Sequence, residues 1–401
     1  MPHQAATRVR RATFGCAAFA WVALSFTACR SSADQATPLR GVVEPSPAVQ
    51  GERRAPRQLG IPLGLLVPGE RNAITDVDGV QVGHCTVQQG RIVNTGVTIV
   101  RPHSGNLFRE KVPAAIAVMN GFGKLAGVTQ IRELGLLETP IGLTSTLSVG
   151  TVTEAIARWT LALPGNERIR SVNAVVGETN DGYLHDIRNA HIRPEHVLAA
   201  LAASSSGPVA QGTVGAGTGT SCFGWKGGIG TSSRTLPPRL GGSTVGVLVQ
   251  ANFGGLLTIA GIPVGRELSA LPYGLPTPES TDGSCMIVIA TDASLDARQL
   301  ERLARRAFLG LARVGSWVSN GSGDYAIAFT SAESMRNGRG RPLPDSRLSP
   351  LFLAVVEATE EAVLNALFLA ARVEGHRGAR EALPVDTVMT ILRRHRIVPA
   401  R

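Results

Sequence analysis

The sequence predicts a layered α/β fold, from its composition and from the order of its apolar segments. Hydrophobic residues make up 43% of the 401 residues and charged residues 17%, which is typical of a globular chain with a sizeable core. Short apolar runs alternate with amphipathic segments, and many of the runs are apolar on both faces. Helices are therefore expected to cover both sides of the sheets. A four-layer αββα sandwich and a single doubly wound sheet both satisfy this pattern.

Five segments are predicted to be buried strands because they are short, rich in β-branched residues and bounded by Gly or polar residues. These segments are residues 96–102, 114–120, 171–178, 244–252 and 285–291. A further strand is expected after the Gly-rich turn "SNGSGD" at residues 319–324.

Helices are predicted between and after these strands, at residues 151–163, 194–203, 351–371 and 384–395. The clearest helix starts near Asp296, because a set of apolar residues falls on one face with Arg and Glu opposite. The apolar residues of that face are Leu300, Leu303, Ala304, Ala307, Phe308 and Leu311.

No nucleic-acid partner is predicted, although the net charge is +10. A nucleic-acid interface needs basic residues clustered on one face with aromatic residues between them. Here the basic residues are almost all Arg and are scattered along the chain, and aromatic residues make up only 4%.

The N-terminus has the features of a bacterial export signal. An Arg-rich segment at residues 8–11 precedes an apolar segment at residues 13–28 that is too short for a typical membrane span. "FTAC" then resembles a lipoprotein box, which would place a lipid on Cys29. An ordinary secretory signal is the alternative.

Export would divide the chain into three parts. Residues 1–28 are the predicted signal peptide, and removing them lowers the charge by three, from +10 to +7. Residues 29–57 are rich in Ser, Ala, Pro and Arg and are predicted to be a flexible tether, followed by a single domain at residues 58–401. The protein is expected in the periplasm or on a membrane, which it would contact only through the lipid.

No metal or organic cofactor is predicted. The sequence contains neither CxxC nor HExxH, and its eight His residues show no ligand spacing. The Gly-rich run at residues 212–230 lacks the GxGxxG and Walker patterns of phosphate loops, and we interpret it as the wall of a cleft. GxSxG is also absent, which excludes the nucleophile elbow of α/β-hydrolases.

Ser284 is the strongest candidate for a catalytic residue. It follows a Pro-rich, polar stretch at residues 270–283 and opens the apolar run at 285–291, so the core behind it should hold its hydroxyl in place. Gly283 precedes it without a Cβ that could block attack on the carbonyl between them. A self-processing N-terminal-nucleophile hydrolase needs this arrangement, because the serine attacks that carbonyl and the chain is cut there. An ordinary turn-to-strand junction is the alternative.

Polar residues near other strands could complete such a site. Ser322 and Asp324 stand two residues apart, so both can face one side of an extended chain and orient Ser284. Asn252 ends a predicted strand and is a candidate oxyanion donor. The same residue types are also typical of ordinary turns.

A second polar cluster follows the predicted strand at residues 171–178. Glu178 and Asp181 could bind a cationic amine, and Tyr183 could donate a hydrogen bond to an oxyanion. Turn chemistry is again the alternative.

Several motifs between about Gly60 and Ala332 resemble the L-aminopeptidase/D-esterase and β-aminopeptidase family of self-processing serine peptidases. They include "GLLVPGERNAITDVDGVQVGH", "NGFGKLAGVTQIRELGLLETPIGLTSTLSVG", "GETNDGYL", "TVGVLVQANFG", "DGSCMIVIATDASL" and "NGSGD". That many motifs in order make the resemblance specific. It implies the αββα alternative of the two folds, self-cleavage into an α chain ending at Gly283 and a β chain starting at Ser284, and homo-oligomers of αβ units.

The resemblance also implies roles for single residues. Ser284 is the implied nucleophile, with Ser322 and Asp324 as its orienting partners, and Asn252 and Tyr183 would support the oxyanion. Asp324 is a departure, since the family often has the longer Glu there. The implied anchor for the substrate amine is Glu178 or Asp181, and Cys285 should point into the core, opposite to Ser284.

The predicted function is therefore an aminopeptidase whose catalytic domain spans residues 58–401. It would hydrolyse N-terminal residues from short peptides, amides or esters without a cofactor. An acyltransferase on the same fold and a catalytically silent, peptide-binding envelope lipoprotein are the alternatives.

Overall fold

The computed structural model describes residues 53–268 and 283–399, all of which belong to one compact unit. Two β-sheets lie face to face in this unit, with helices on both outer sides. The described strands are β1 (Gln81–Gln89), β2 (Val93–Arg101), β3 (Val112–Gly121), β4 (Leu136–Leu137), β5 (Ile141–Ser145), β6 (Val175–Thr179), β7 (Ser221–Cys222), β8 (Trp225–Lys226), β9 (Gly228–Thr235), β10 (Thr244–Asn252), β11 (Ser284–Thr291), β12 (Gly323–Thr330), β13 (Val373–Gly375) and β14 (Gly378–Arg380).

Each sheet mixes parallel and antiparallel pairs. The first sheet has the order β1-β2-β5-β6, and the second has the order β4-β3-β12-β11-β10-β9. At the centre of the second sheet, β11 runs antiparallel to β10 and parallel to β12. The short pairs β7-β8 and β13-β14 form separate ribbons.

The helices form the two outer layers. The described helices are α1 (Val128–Leu134), α2 (Val149–Leu161), α3 (Pro194–Ala202), α4 (Val264–Glu267), α5 (Ala297–Arg313), α6 (Ser349–Phe368) and α7 (Val385–Arg394). The pair α2 and α3 packs on the first sheet, and the pair α5 and α6 packs on the second. The N-cap of α5 is Asp296, whose carboxylate accepts a hydrogen bond from the backbone N–H of Gln299 at 2.7 Å. None of the described helices combines the length and the apolar character needed to cross a membrane.

Alternation along β11 shows how the layers share the core. Met286 and Val288 point between the two sheets, whereas Cys285 and Ile287 point toward the helices of the second sheet. Every side chain of β11 is buried, as expected for a strand covered on both faces. Ser284 precedes Met286 by two residues, so the two side chains are on the same face of the sheet. The side chain of Ser284 therefore lies at the end of the space between the sheets.

Two close contacts fix the sheets against each other near Ser284. Gly177 in β6 leaves room for Met286, because a Cβ at Gly177 would lie 2.2 Å from the methyl carbon of Met286. Gln250 in β10 donates its amide to the carbonyl of Thr144 in β5 at 3.1 Å and to that of Ala216 at 2.9 Å. The second sheet therefore carries a buried polar link to the first beside the strand that begins at Ser284.

The four-layer αββα arrangement agrees with the fold that the motifs imply, and the single doubly wound sheet is wrong. The five predicted strands correspond to β2, β3, β6, β10 and β11, and the expected further strand is β12. The strands β1, β5 and β9 had no counterpart in the sequence prediction. They are rich in Gly, Thr, Ser and Gln, which weakens their apolar signal.

The predicted tether ends earlier than residue 57. Arg53 donates hydrogen bonds to the carbonyls of Phe368 and Leu383, and Arg57 forms an ion pair with the buried Glu361 in α6 at 2.7 Å. The folded domain therefore begins no later than Arg53. The predicted signal peptide and Cys29 lie outside the described residues.

Candidate active site

A cavity of about 720 Å³ opens where β6, β10 and β11 meet at one end of the two sheets. Its size falls in the range of small-molecule sites, roughly 300–1,000 Å³. Its described lining consists of Gly121, Phe122, Gly123, Lys124, Thr146, Glu178, Asn180, Gly182, Tyr183, Ile187, Asn252, Gly283, Ser284, Gly321 and Arg377.

Ser284 lies at the base of this cavity as the first residue of β11. Its hydroxyl oxygen accepts a hydrogen bond from the backbone N–H of Asn180 at 3.2 Å, and its side chain is almost completely buried. The carbonyl of Gly283 accepts a hydrogen bond from the backbone N–H of Gly323 at 3.3 Å. The hydroxyl and the carbonyl before it are therefore each in contact with a fixed backbone donor.

Gly283 is required by its surroundings on the side away from the cavity. A Cβ at this position would lie 2.6 Å from the Cα of Phe253 and 2.8 Å from the carbonyl oxygen of Asn252. Both contacts are with backbone, which cannot move aside cheaply. The glycine is therefore needed for close approach to β10, a physical reason that differs from the unblocked carbonyl that the sequence suggested.

Asn252 lies directly opposite Ser284 on β10 and also lines the cavity. Its Oδ1 accepts a hydrogen bond from the backbone N–H of Ser221 at 2.8 Å, and its Nδ2 donates to the carbonyl of Asn180 at 3.1 Å. The first contact fixes which end of the amide faces the site. The second uses one of the two Nδ2 protons, which leaves the other as a donor for an oxyanion.

Glu178 is the acidic residue in the described part of the cavity lining. Its Oε1 accepts a hydrogen bond from the backbone N–H of Lys124 at 2.9 Å, and the Nζ of Lys124 lies 3.9 Å from the same oxygen. Burial raises the pKa of Glu178 above its usual value, and the contacts with Lys124 oppose that shift. Glu178 can therefore offer its carboxylate to an amine, but Lys124 already shares it.

Ser322 and Asp324 are buried next to β11 and are absent from the described cavity lining. Asp324 pairs with Cys285 across the parallel β11–β12 contact. Its side chain is therefore on the opposite face of the sheet from that of Ser284. Burial raises the pKa of Asp324 to about 6, opposed by the nearby Ser322 hydroxyl and the backbone N–H of Cys285. The Ser322 hydroxyl and the Oδ2 of Asp324 are close but form no hydrogen bond of good geometry with any described residue.

Tyr183 and Asp181 follow the same strand but lie in different surroundings. Tyr183 lines the cavity, with the Arg380 guanidinium 3.7 Å from the centre of its ring. Asp181 does not line it: its two oxygens accept hydrogen bonds from the hydroxyls of Ser145 and Thr95, both at 2.7 Å. Burial raises the pKa of Asp181 to about 6. Of the two predicted amine anchors, the structure therefore brings only Glu178 to the cavity.

Comparison with known proteins identifies the family to which this site belongs. The profile of Peptidase family S58 matches residues 72–381, which is most of the chain. The chain belongs to peptidase family S58.

Relatives and solved structures agree with the S58 assignment. The chain is 40% identical to a β-peptidyl aminopeptidase of Sphingosinicella microcystinivorans, over 88% of this chain and 95% of that protein. It is similar in structure to a Burkholderia sp. β-aminopeptidase, with a TM-score of 0.79, 41% identity, and coverage of 87% of this chain and 100% of the other. A third match is the L-aminopeptidase D-Ala-esterase/amidase of Ochrobactrum anthropi, with a TM-score of 0.78, 35% identity, and coverage of 86% and 99%.

These matches establish the class of protein. The Ochrobactrum structure is described as a prototype for the serine aminopeptidases and a variant of the Ntn-hydrolase fold. The predicted family, the αββα fold and the assignment as a hydrolase of the aminopeptidase type are confirmed.

Three polar or charged residues of the described cavity lining that the sequence analysis missed are Asn180, Lys124 and Arg377. Asn180 acts through its backbone, so its side-chain type carries no signal, although it lies inside the quoted motif "GETNDGYL". Lys124 lies in another quoted motif and could have been found as one of only three lysines. Arg377 comes from the turn between β13 and β14, far along the chain from the other lining residues.

The Gly-rich run at residues 212–230 is not the wall of this cavity, since none of its residues is part of the described lining. It packs between the two sheets instead. A Cβ at Gly215 would lie 2.5 Å from the hydroxyl of Thr98, and one at Gly217 would lie 2.4 Å from the backbone nitrogen of Ile229. The glycines therefore allow close packing in the core of the domain.

Cys285 points away from the cavity into the core on the helix side of the second sheet. Burial raises the pKa of its thiol well above the usual value, so it stays protonated. Within the described residues, Cys85, Cys222 and Cys285 are free thiols, and no cluster of His, Cys, Asp and Glu could hold a metal ion.

Proposed function

We propose that the protein is a self-cleaving serine aminopeptidase in which Ser284, freed as a new N-terminus, is the nucleophile. The observation that carries the proposal is the position of Ser284. It begins a fully buried strand at the base of a cavity, directly after a glycine whose carbonyl is held by a backbone donor.

Self-cleavage would begin with the Ser284 hydroxyl attacking the carbonyl carbon of Gly283. A bond forms between that carbon and the hydroxyl oxygen, the Gly283–Ser284 amide bond breaks, and the hydroxyl proton goes to the departing nitrogen. Water then hydrolyses the resulting ester, which releases the carboxylate of Gly283 and restores the hydroxyl of Ser284, whose amine is now the new N-terminus. The backbone N–H of Gly323, 3.3 Å from the Gly283 oxygen, would stabilise the negative charge that develops there.

Turnover of a substrate would use the same hydroxyl. The new amine of Ser284 accepts the hydroxyl proton while the oxygen attacks the first peptide carbonyl of the substrate, and the downstream part leaves as an amine. Water hydrolyses the acyl-enzyme ester and restores Ser284. The free Nδ2 proton of Asn252 donates to the oxyanion, with the Tyr183 hydroxyl as the second donor.

Ser322 and Asp324 would act on the amine side of Ser284 in the cleaved enzyme. Asp324 lies beside the backbone at the start of β11, where the new amine would form. Its carboxylate would then gain a cationic partner, which lowers a pKa that burial has raised.

Glu178 is the proposed anchor for the amine of the substrate. Its carboxylate belongs to the described lining of the cavity, and a charged amine beside it would replace part of the contact with Lys124. The proposed substrates are short peptides, amides or esters with a free amine. The names of the relatives, a β-peptidyl aminopeptidase and an L-aminopeptidase D-Ala-esterase/amidase, support this range.

Export, lipidation at Cys29 and assembly of αβ units remain part of the proposal. They rest on the N-terminal sequence and on the family resemblance. The expected location is the periplasm or a membrane, to which the lipid would anchor the protein.

The aminopeptidase activity can be tested with matched peptides that have a free or an acetylated N-terminus. Hydrolysis of the free peptide alone would support recognition of the amine, and equal rates for both would contradict it. Adding an acceptor amine separates hydrolysis from the acyltransferase alternative. Free acid as the main product supports the hydrolase, whereas transfer to the acceptor would favour the alternative.

A further inference from the structure

The charged side chains in the described part of the cavity lining are not all paired. Three charged side chains line its described part: Glu178, Lys124 and Arg377. Lys124 lies 3.9 Å from Glu178 and donates from Nζ to the Thr146 hydroxyl at 2.7 Å, so its charge is already matched. Arg377 forms no ion pair with any described residue. Among the charged side chains of the described lining, Arg377 is therefore the one without a partner of opposite charge among the described residues.

Arg377 occupies a defined place at the cavity wall although its side chain is exposed. Its backbone N–H donates to the carbonyl of Tyr183 at 3.0 Å, and the N–H of His376 donates to the carbonyl of Leu184 at 3.0 Å. Gly378 follows with a φ of 149°, which few residues other than glycine adopt. The turn that carries Arg377 is thus attached to the loop of Tyr183 by two backbone hydrogen bonds.

The neighbouring Arg380 differs from Arg377 in its contacts with the protein. Arg380 stacks on the ring of Tyr183 and donates from Nε to the Ser221 hydroxyl at 3.2 Å. It supports the tyrosine and is absent from the described lining. Arg377 has no comparable protein partner among the described residues, and it lines the cavity.

We propose that Arg377 binds a carboxylate on the part of the substrate downstream of the scissile bond. This inference rests on the proposed function: with the amine at Glu178 and the scissile carbonyl at Ser284, the downstream part of the substrate is the part left to contact Arg377 in the same cavity. A short peptide with a free C-terminus carries the matching pair of charges, an amine for Glu178 and a carboxylate for Arg377. The site is therefore selective for dipeptides and other very short peptides over their C-terminal amides.

The test compares a dipeptide with a free C-terminus with the same dipeptide as its C-terminal amide. Dipeptides that begin with α-alanine and with β-alanine are assayed first. The amino-terminal residue that is hydrolysed faster is then used in the test. We expect the ratio of kcat/KM, free acid over amide, to be about tenfold in the parent enzyme, which corresponds to one charge-assisted contact. The Arg377→Met variant should bring the ratio close to one, and added salt should lower the ratio of the parent.

Arg372→Met is the matched control. Arg372 lies next to the same ribbon but pairs with Glu374 and Glu381 and is absent from the described lining, so its variant should keep the ratio of the parent. A third substrate, a dipeptide amide with Asp in the second position, distinguishes a side-chain carboxylate from a terminal one. If this substrate is hydrolysed as fast as the free acid, and Arg377→Met removes that gain, Arg377 also binds a carboxylate supplied by a side chain.

Two results would overturn the inference. One is equal kcat/KM for acid and amide in the parent enzyme, and the other is an unchanged ratio in Arg377→Met. Both results count only for a protein preparation that has been shown to consist of two chains and to hydrolyse at least one substrate. A chain that stays uncut, or that hydrolyses neither substrate, would instead contradict the proposed function.

Discussion

Asn252 and Ser284 face each other across the antiparallel pair β10–β11, at the end where both strands meet the cavity. One strand ends at the amide and the other begins at the hydroxyl. The backbone of Asn180 contacts both residues, because its N–H donates to the Ser284 oxygen and its carbonyl accepts from Asn252 Nδ2. A nucleophile and an oxyanion donor are therefore held by strand register and by the residue that follows β6 of the first sheet.

Asn252→Asp should leave the fold intact and remove the donor. The new carboxylate keeps the acceptor for the Ser221 N–H but places an oxygen where Nδ2 donated to the Asn180 carbonyl. We expect kcat to fall by about 10²–10³ with a smaller change in KM, as for other oxyanion donors. Steady-state kinetics on a free-amine peptide measures both constants, and an unchanged kcat would show that Asn252 has no part in the oxyanion site.

Glu178→Gln should weaken binding of substrates through their amine. The amide keeps the size of the side chain and can still accept from the Lys124 N–H, but it loses the charge that attracts an ammonium group. We expect KM to rise about 10- to 100-fold. The measurement is the KM for a free-amine peptide.

The matched control for this change is Glu138→Gln. Glu138 is also a buried carboxylate, which accepts from a backbone N–H, that of Asn173, at 2.9 Å and lies 3.5 Å from Lys111, yet it is absent from the described lining. It should leave KM unchanged. Equal effects of the two substitutions would mean that Glu178 supports structure and does not bind the amine.

Gly283→Ala should slow self-cleavage. The added methyl group would clash with the backbone of Phe253 and Asn252, so the start of β11 and the carbonyl held by Gly323 must move. We expect the variant to remain largely uncut over a time in which the parent is fully cut. Gly150→Ala in α2 is the control, because no atom lies within 4 Å of a Cβ there. Rapid cleavage of Gly283→Ala would show that this close packing does not set the position of the scissile bond.

Asp324 should make the uncut chain less stable at high pH. Burial raises its pKa from 3.8 to about 6, so the neutral form is favoured in the fold. The stability that this form contributes is fully present below about pH 3.8 and is lost as the pH rises through about 6. This rise in the pKa of Asp324 corresponds to about 3 kcal/mol in the free energy of unfolding.

This effect is measured as the difference between Ser284→Ala and Ser284→Ala/Asp324→Asn, so that other titrating groups cancel. Urea unfolding should give equal stabilities near pH 4 and a more stable Asn variant near pH 8. A difference that does not change with pH would mean that Asp324 is not held in its neutral form by burial.

The sequence predicted the parts of the site that lie at the ends of apolar runs. Ser284 opens such a run, Asn252 closes one, and Glu178 lies in one, so strand boundaries located all three. The family motifs decided between the single doubly wound sheet and the two-sheet αββα sandwich. The apolar pattern could not decide, because buried strands have the same pattern in both folds. Gly-rich and Thr-rich strands such as β9 gave no signal because packing against α6, rather than local propensity, makes them strands.

The remaining features depend on contacts between distant parts of the chain. Asp181 was expected at the cavity, but Ser145 and Thr95, which hold it in the core, come from other strands. Arg377 reaches the cavity only because its turn is attached to the loop of Tyr183. No local pattern encodes either contact.

The most direct test of the account is the intact mass of the purified protein with N-terminal sequencing, beside Ser284→Ala. The account predicts two chains for the parent, one of them beginning Ser-Cys-Met, and a single uncut chain for the variant. A single chain in both proteins would contradict the N-terminal-nucleophile mechanism and would favour the silent peptide-binding lipoprotein.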